Sequence, residues 1–131
     1  MRENESGRRG RSRSAPAVNE STVLRTIAEA DWKVLRRLHP LALERFCERV
    51  LTEIERVMDI STQSAHQRYL GIFQIIEQRD REVASIFNDP KRSNALTMLA
   101  RIRSEGLLTE DEFSSFTSET RAAIQLLLGA E

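Results

Sequence analysis

The sequence predicts an all-α fold: an irregular bundle of four to six helices built on a long antiparallel helix hairpin. Three observations predict it. Apolar residues recur at spacings of three and four from Val23 to Leu128, the stripe that a core-facing helix presents. No stretch alternates with period two, and no Asn-Gly or Asp-Gly turn stands ready to close a β-hairpin. The breaks between stripes carry helix-ending and helix-starting residues: His39-Pro40, the polar run Asp59–Ser64, Asn88-Asp89-Pro90 and Gly106.

The first helix is expected from Ser21 to Leu38, capped by Asn19 or Ser21, with Val23, Ile27, Ala30, Val34 and Leu38 as its stripe. Proline lacks the N–H that a helix interior needs but suits a first turn, so Pro40 is read as opening a second helix that runs to Met58. Leu43, Cys47, Val50, Ile54 and Val57 form its apolar face. Ser61 or Ser64 caps a third helix, expected from Ser64 to Phe87, on Ala65, Tyr69, Ile72, Ile76, Val83 and Ile86. Arg79 falls where that rhythm asks for an apolar residue. The second and third helices, joined by a short polar loop, make the hairpin.

Asp89 as N-cap and Pro90 as first residue are expected to open a fourth helix bearing Ala95, Leu96, Leu99 and Ile102, stopped at Gly106. Thr109 and Glu112 make a capping box for a short helix with Phe113 and Phe116. Thr117 or Ser118 caps the last helix, with Ala123, Ile124, Leu127 and Leu128 on its apolar side.

At 131 residues the chain is sized for one domain. Residues 1–18 are read as a disordered arginine-rich tail and residues 19–131 as a single helical domain. Up to Ala15 the only apolar residue is Met1, which leaves too little apolar area to offset chain entropy. Over residues 1–20 five arginines face Glu3, Glu5 and Glu20, a net of +2.

The whole chain balances 20 basic against 20 acidic residues, which gives no global attraction to nucleic acid or membrane. A single cysteine, Cys47, rules out a disulfide framework within the chain. No apolar run reaches the roughly 18 residues of a membrane span. Basic residues at the N-terminus are not followed by an apolar segment, so a cytoplasmic location is expected.

Residues 95–116 read ALTMLARIRSEGLLTEDEFSSF. This segment resembles the short C-terminal domain called SHOCT: a leucine-bearing helix (Leu96, Leu99), a Gly-Leu-Leu-Thr turn at Gly106–Thr109, and an acidic stretch, Glu110 to Glu112, ending at Phe113. The resemblance implies a helical hairpin associated with self-association. It covers 22 residues and departs after Phe113, where Ser114 and Ser115 replace the expected lysine and leucines.

The inventory for chemistry is thin. His39, His66 and Cys47 stand at no spacing that suits a metal, and Cys47, on an apolar stripe, is read as an inert core thiol. There is no nucleophile elbow and no glycine-rich phosphate loop. No enzyme, cofactor or metal is therefore expected. The sequence reads instead as a non-enzymatic helical interaction module that self-associates or docks a protein partner, with Tyr69, Ile72, Ile76, Val83 and Phe113 as interface residues. The alternative is a nucleic-acid-associated regulator whose Arg8, Arg9, Arg11 and Arg13 contact phosphates.

Overall fold

A computed structural model describes residues 26–129. Among them are five α-helices and no strand: α1 Glu29–Met58, α2 Ala65–Phe87, α3 Ala95–Ser104, α4 Glu110–Ser114 and α5 Ser118–Gly129, with a 3-10 turn at Arg92–Asn94 before α3. The architecture is an all-α bundle. The tail, the candidate caps Asn19 and Ser21, and Val23 lie outside the described residues.

Three boundaries correct the sequence expectation. First, the two helices expected to meet at His39-Pro40 are one helix of 30 residues, with Pro40 inside it. Proline deprives the Arg36 carbonyl of its partner, at a cost of about 3 kcal/mol in a helix interior. Arg36 and Pro40 both face solvent, so water can serve that carbonyl. The opposite face is held by Leu35, Leu38 and Ala42, each 2 % exposed or less. The Nε2–H of His39 also donates to the Phe87 carbonyl at 2.9 Å, tying the turn before Pro40 to the end of α2.

Second, α1 begins at Glu29, not Ser21; Thr26–Ala28 are not helical. Ile27 is nonetheless buried, and its carbonyl accepts from Arg92 Nη2 at 3.0 Å. The face that α1 buries is Asp31, Leu35, Leu38, Ala42 and Phe46, while Ala30 is exposed. Third, Asp89 does not cap a helix. It sits in the left-handed region at φ 58°, and the 3-10 turn opens instead after Lys91, whose N–H donates to Asn94 Oδ1 at 2.9 Å.

The other ends follow the local chemistry. Ser64 and Gln67 form a reciprocal capping box at the start of α2, as do Thr109 and Glu112 at α4. Gly106, at φ 70°, ends α3. Its N–H bonds the Arg103 carbonyl and the Leu107 N–H bonds the Ile102 carbonyl, the paired bonds of a Schellman stop. Ile102 and Leu107, which flank that stop, are both buried.

α1 and α2 run antiparallel: Glu53 meets Arg79 and His39 meets Phe87, in opposite order along the two helices. A Cβ on Gly71 would lie 3.5 Å from Val57 Cγ1, so the helices are close there too. The core sits at one end of this pair. α3 buries six of its ten residues between α1, α2 and α5, and Leu107, Phe113, Phe116 and Ile124 close it. Beyond Phe46 on α1 and before Ile86 on α2, no residue is fully buried. Arg49, Val50, Val83 and Ser85 still touch the body, and the far part of the pair beyond them projects as two arms.

Candidate interaction face

The arms have two unlike sides. On one, Arg79 lies between the helices and is half-buried. Its guanidinium reaches both oxygens of Glu53 on α1 at 3.1 and 3.3 Å and Glu82 at 2.6 Å. The hydrogen bond to Glu53 raises the Arg79 pKa, against the opposing effect of burial. This residue, which broke the apolar rhythm in the sequence, is an ionic cross-link between α1 and α2.

Nearer the body, Arg45 grips Glu112 through two bonds, 2.7 and 2.8 Å, and donates to the Leu107 carbonyl at 2.8 Å. Arg49 donates to the carbonyls of Glu105 and Gly106 at 2.6 and 2.9 Å. Two arginines one helical turn apart thus hold the α3–α4 corner against α1. The Arg45 hydrogen bonds depress the Glu112 carboxyl from its ordinary 4.5 to about 2, with the Thr109 N–H assisting and burial opposing.

The opposite side of the arms is apolar. Cys47, Leu51, Ile54 and Met58 follow one another at helical spacing on α1, and Tyr69, Phe73 and Ile76 do so on α2. Leu51 is 60 % exposed, Tyr69 66 % and Phe73 51 %. Between the two rows runs a shallow cleft of about 270 Å³, lined by Cys47, Val50, Leu51, Ile54, Ile76 and Val83, with Arg79 and Asp80 at its polar margin. Large apolar side chains grouped in this way mark a contact surface more often than scattered ones do.

The five expected interface residues separate. Tyr69 and Ile76 are exposed on this face. Ile72 and Val83 are half-buried, and Val83 lines the cleft. Phe113 is 4 % exposed and packs in the core, with the Arg103 guanidinium 4.1 Å from its ring centroid; the capping box that starts α4 turns it inward. Cys47, read as a core thiol, is exposed, because the buried face of α1 passes through Ala42 and Phe46 and not through position 47. Leu51, Met58 and Phe73, which the sequence places on or beside the apolar stripes, are not among the expected interface residues, since periodicity gives a stripe without saying whether anything covers it. Arg8, Arg9, Arg11 and Arg13 lie outside the described residues.

A second polar centre was also missed. Asp31, 1 % exposed, accepts from the Thr117 N–H at 2.9 Å and from the Thr117 and Thr120 hydroxyls at 2.6 Å each. Burial alone would raise its pKa; these three bonds outweigh that and hold it below the ordinary value. Every contact of the carboxylate is internal, and its chemistry is that of a fastener between α1 and the start of α5.

Among the described residues no three His, Cys, Asp or Glu side chains gather as a metal site would require, and no helix is long and apolar enough to cross a membrane. No protein-family model, curated protein or solved structure matches the chain.

Proposed function

We propose that this protein is a helical interaction module that engages another polypeptide through the apolar face of its two arms. The observation that carries the reading is the row Leu51, Ile54 and Met58 beside Tyr69, Phe73 and Ile76, in a region with no buried core of its own. Leaving such side chains in water forgoes roughly 1.5–3 kcal/mol for each one that could be fully buried. A covering helix would recover part of that. The polar side of the arms is already engaged, by Arg79 with Glu53 and Glu82.

The SHOCT-like segment is a weaker candidate for the contact surface. Leu96, Leu99, Leu107 and Phe113, which carry that resemblance, are all buried within the body. A partner arriving there would have to displace the core.

Photo-crosslinking tests the proposal. A photo-activatable residue at position 73 is expected to capture a second polypeptide, while the same residue at position 56, on the polar side, is not. Equal capture from both positions, or none from position 73, would remove the reading.

A further inference from the structure

We infer that the occupant of the arm face is a cationic amphipathic helix. This rests on the reading above and adds the chemistry of the partner. The apolar rows have acidic borders. On α1, Glu44 and Glu55 flank the row that holds Cys47, Leu51, Ile54 and Met58, while Glu48 turns toward the arginines of the polar side. On α2, Asp80 stands at the cleft itself and Glu77 follows Phe73 by one turn. These four border carboxylates are exposed, and none has an ion-pair partner among the described residues.

The basic side chain at the cleft, Arg79, is committed to Glu53 and Glu82. Arg36 and Arg37 lie before Pro40, more than two turns from Cys47. Arg81 stands one turn past Glu77 on the outer border of α2, and Arg68 donates to the Met58 carbonyl at 2.9 Å, at the far end of the arms. Glu44, Glu55, Glu77 and Asp80 outnumber Arg68 and Arg81 around the apolar face, so its free charge is negative on balance.

That arrangement discriminates between occupants. Apolar residues at i, i+3, i+4 and i+7 of an incoming helix fill the row between α1 and α2. Lysine or arginine on the flanks of that helix meets the carboxylates, which steers the encounter and fixes orientation. A second copy laid face to face would bring one set of carboxylate borders against another, and like charges across an interface disfavour a pairing. The chain's own residues 1–18 hold five arginines, but their only apolar residues besides Pro16 are Met1, Ala15, Ala17 and Val18, too few at helical spacing to fill the cleft.

The test uses the full chain and synthetic peptides. One peptide is an amphipathic helix of leucine and lysine. A second replaces lysine with glutamate, and a third scrambles the first so that it has no apolar face. Fluorescence anisotropy at low and moderate salt reads the affinity. The leucine–lysine peptide is expected to bind, the other two at least tenfold more weakly, with affinity falling as salt rises. Glu44→Gln, Glu55→Gln and Asp80→Asn combined should cost about tenfold, a loss of about 1.4 kcal/mol. Leu51→Ser with Phe73→Ser should cost more, and because both positions are exposed the fold should persist by circular dichroism.

Failure of the leucine–lysine peptide to bind, equal binding of the glutamate peptide, or indifference to the carboxylate substitutions overturns the cationic-helix inference. Light scattering gives the other arms. A dimer that Leu51→Ser with Phe73→Ser makes monomeric assigns the face to a second copy; the inference fails and the interaction reading stands. If the two serines change neither peptide binding nor mass, both fail.

Discussion

Leu99 and Phe73 sit on comparable apolar stripes of the same molecule, yet Leu99 is completely buried and Phe73 is half in water. The body and the arms differ in what lies opposite each stripe. In the body, α3 is surrounded by α1, α2 and α5, so three neighbours share its six buried residues. Beyond Arg49, Val50 and Val83, which still touch the body, the arms have each other and little more. A pair of helices encloses a seam but not a core, so the outer apolar row stays open. Stability therefore resides in the body, and the arms hold the side chains free to meet a partner.

The largest effect that would break this contrast is cavity formation. Leu99→Ala should cost about 2–5 kcal/mol in urea unfolding, while Phe73→Ala or Leu51→Ala should stay within about 0.5 kcal/mol, as exposed substitutions do. Comparable losses at the two kinds of site would show that the arms are buried in solution. Next comes the polar fastener. Asp31→Ala strands the Thr117 N–H and two hydroxyls and should cost about 3 kcal/mol; no loss would mean that α5 docks by its apolar face alone.

Pro40→Ala probes the junction of the two regions. By restoring an N–H toward the Arg36 carbonyl it should stabilise the chain by about 1–3 kcal/mol. A loss in thermal unfolding would show that the body depends on the proline. The smallest effect is the pH response of the corner. The Glu112 carboxyl is lowered on folding, so its contribution is complete above about pH 4.5 and disappears as pH falls toward 2. Glu112→Gln should flatten acid unfolding over that window; an unchanged profile would detach the Arg45–Glu112 pair from stability.

The all-α class, the capping boxes at Ser64 and Thr109, and the Gly106 stop are legible in the sequence because each depends on residues at most four or five positions apart. What escaped depends on distant neighbours. Whether Pro40 ends a helix turns on which way its ring faces and on the anchors Leu38, Ala42 and Phe87. Asp31 looks like any acid in a first helical turn, where the dipole favours one, and its partners come 86 and 89 residues later. Tyr69 and Ile76 share a stripe with Ile86, and periodicity could not say that the last is sealed and the others open. Phe113 was misplaced for the converse reason.

The Asp31 bonds also bear on when the chain can finish folding. The first turn of α1 is fastened to Thr117 and Thr120, so during synthesis on a ribosome it must wait for nearly ninety more residues before its carboxylate is satisfied. Pairings so far apart in sequence are slow to close, whereas α1 and α2 need just a short loop between them. The body would thus be sealed last, when α5 emerges.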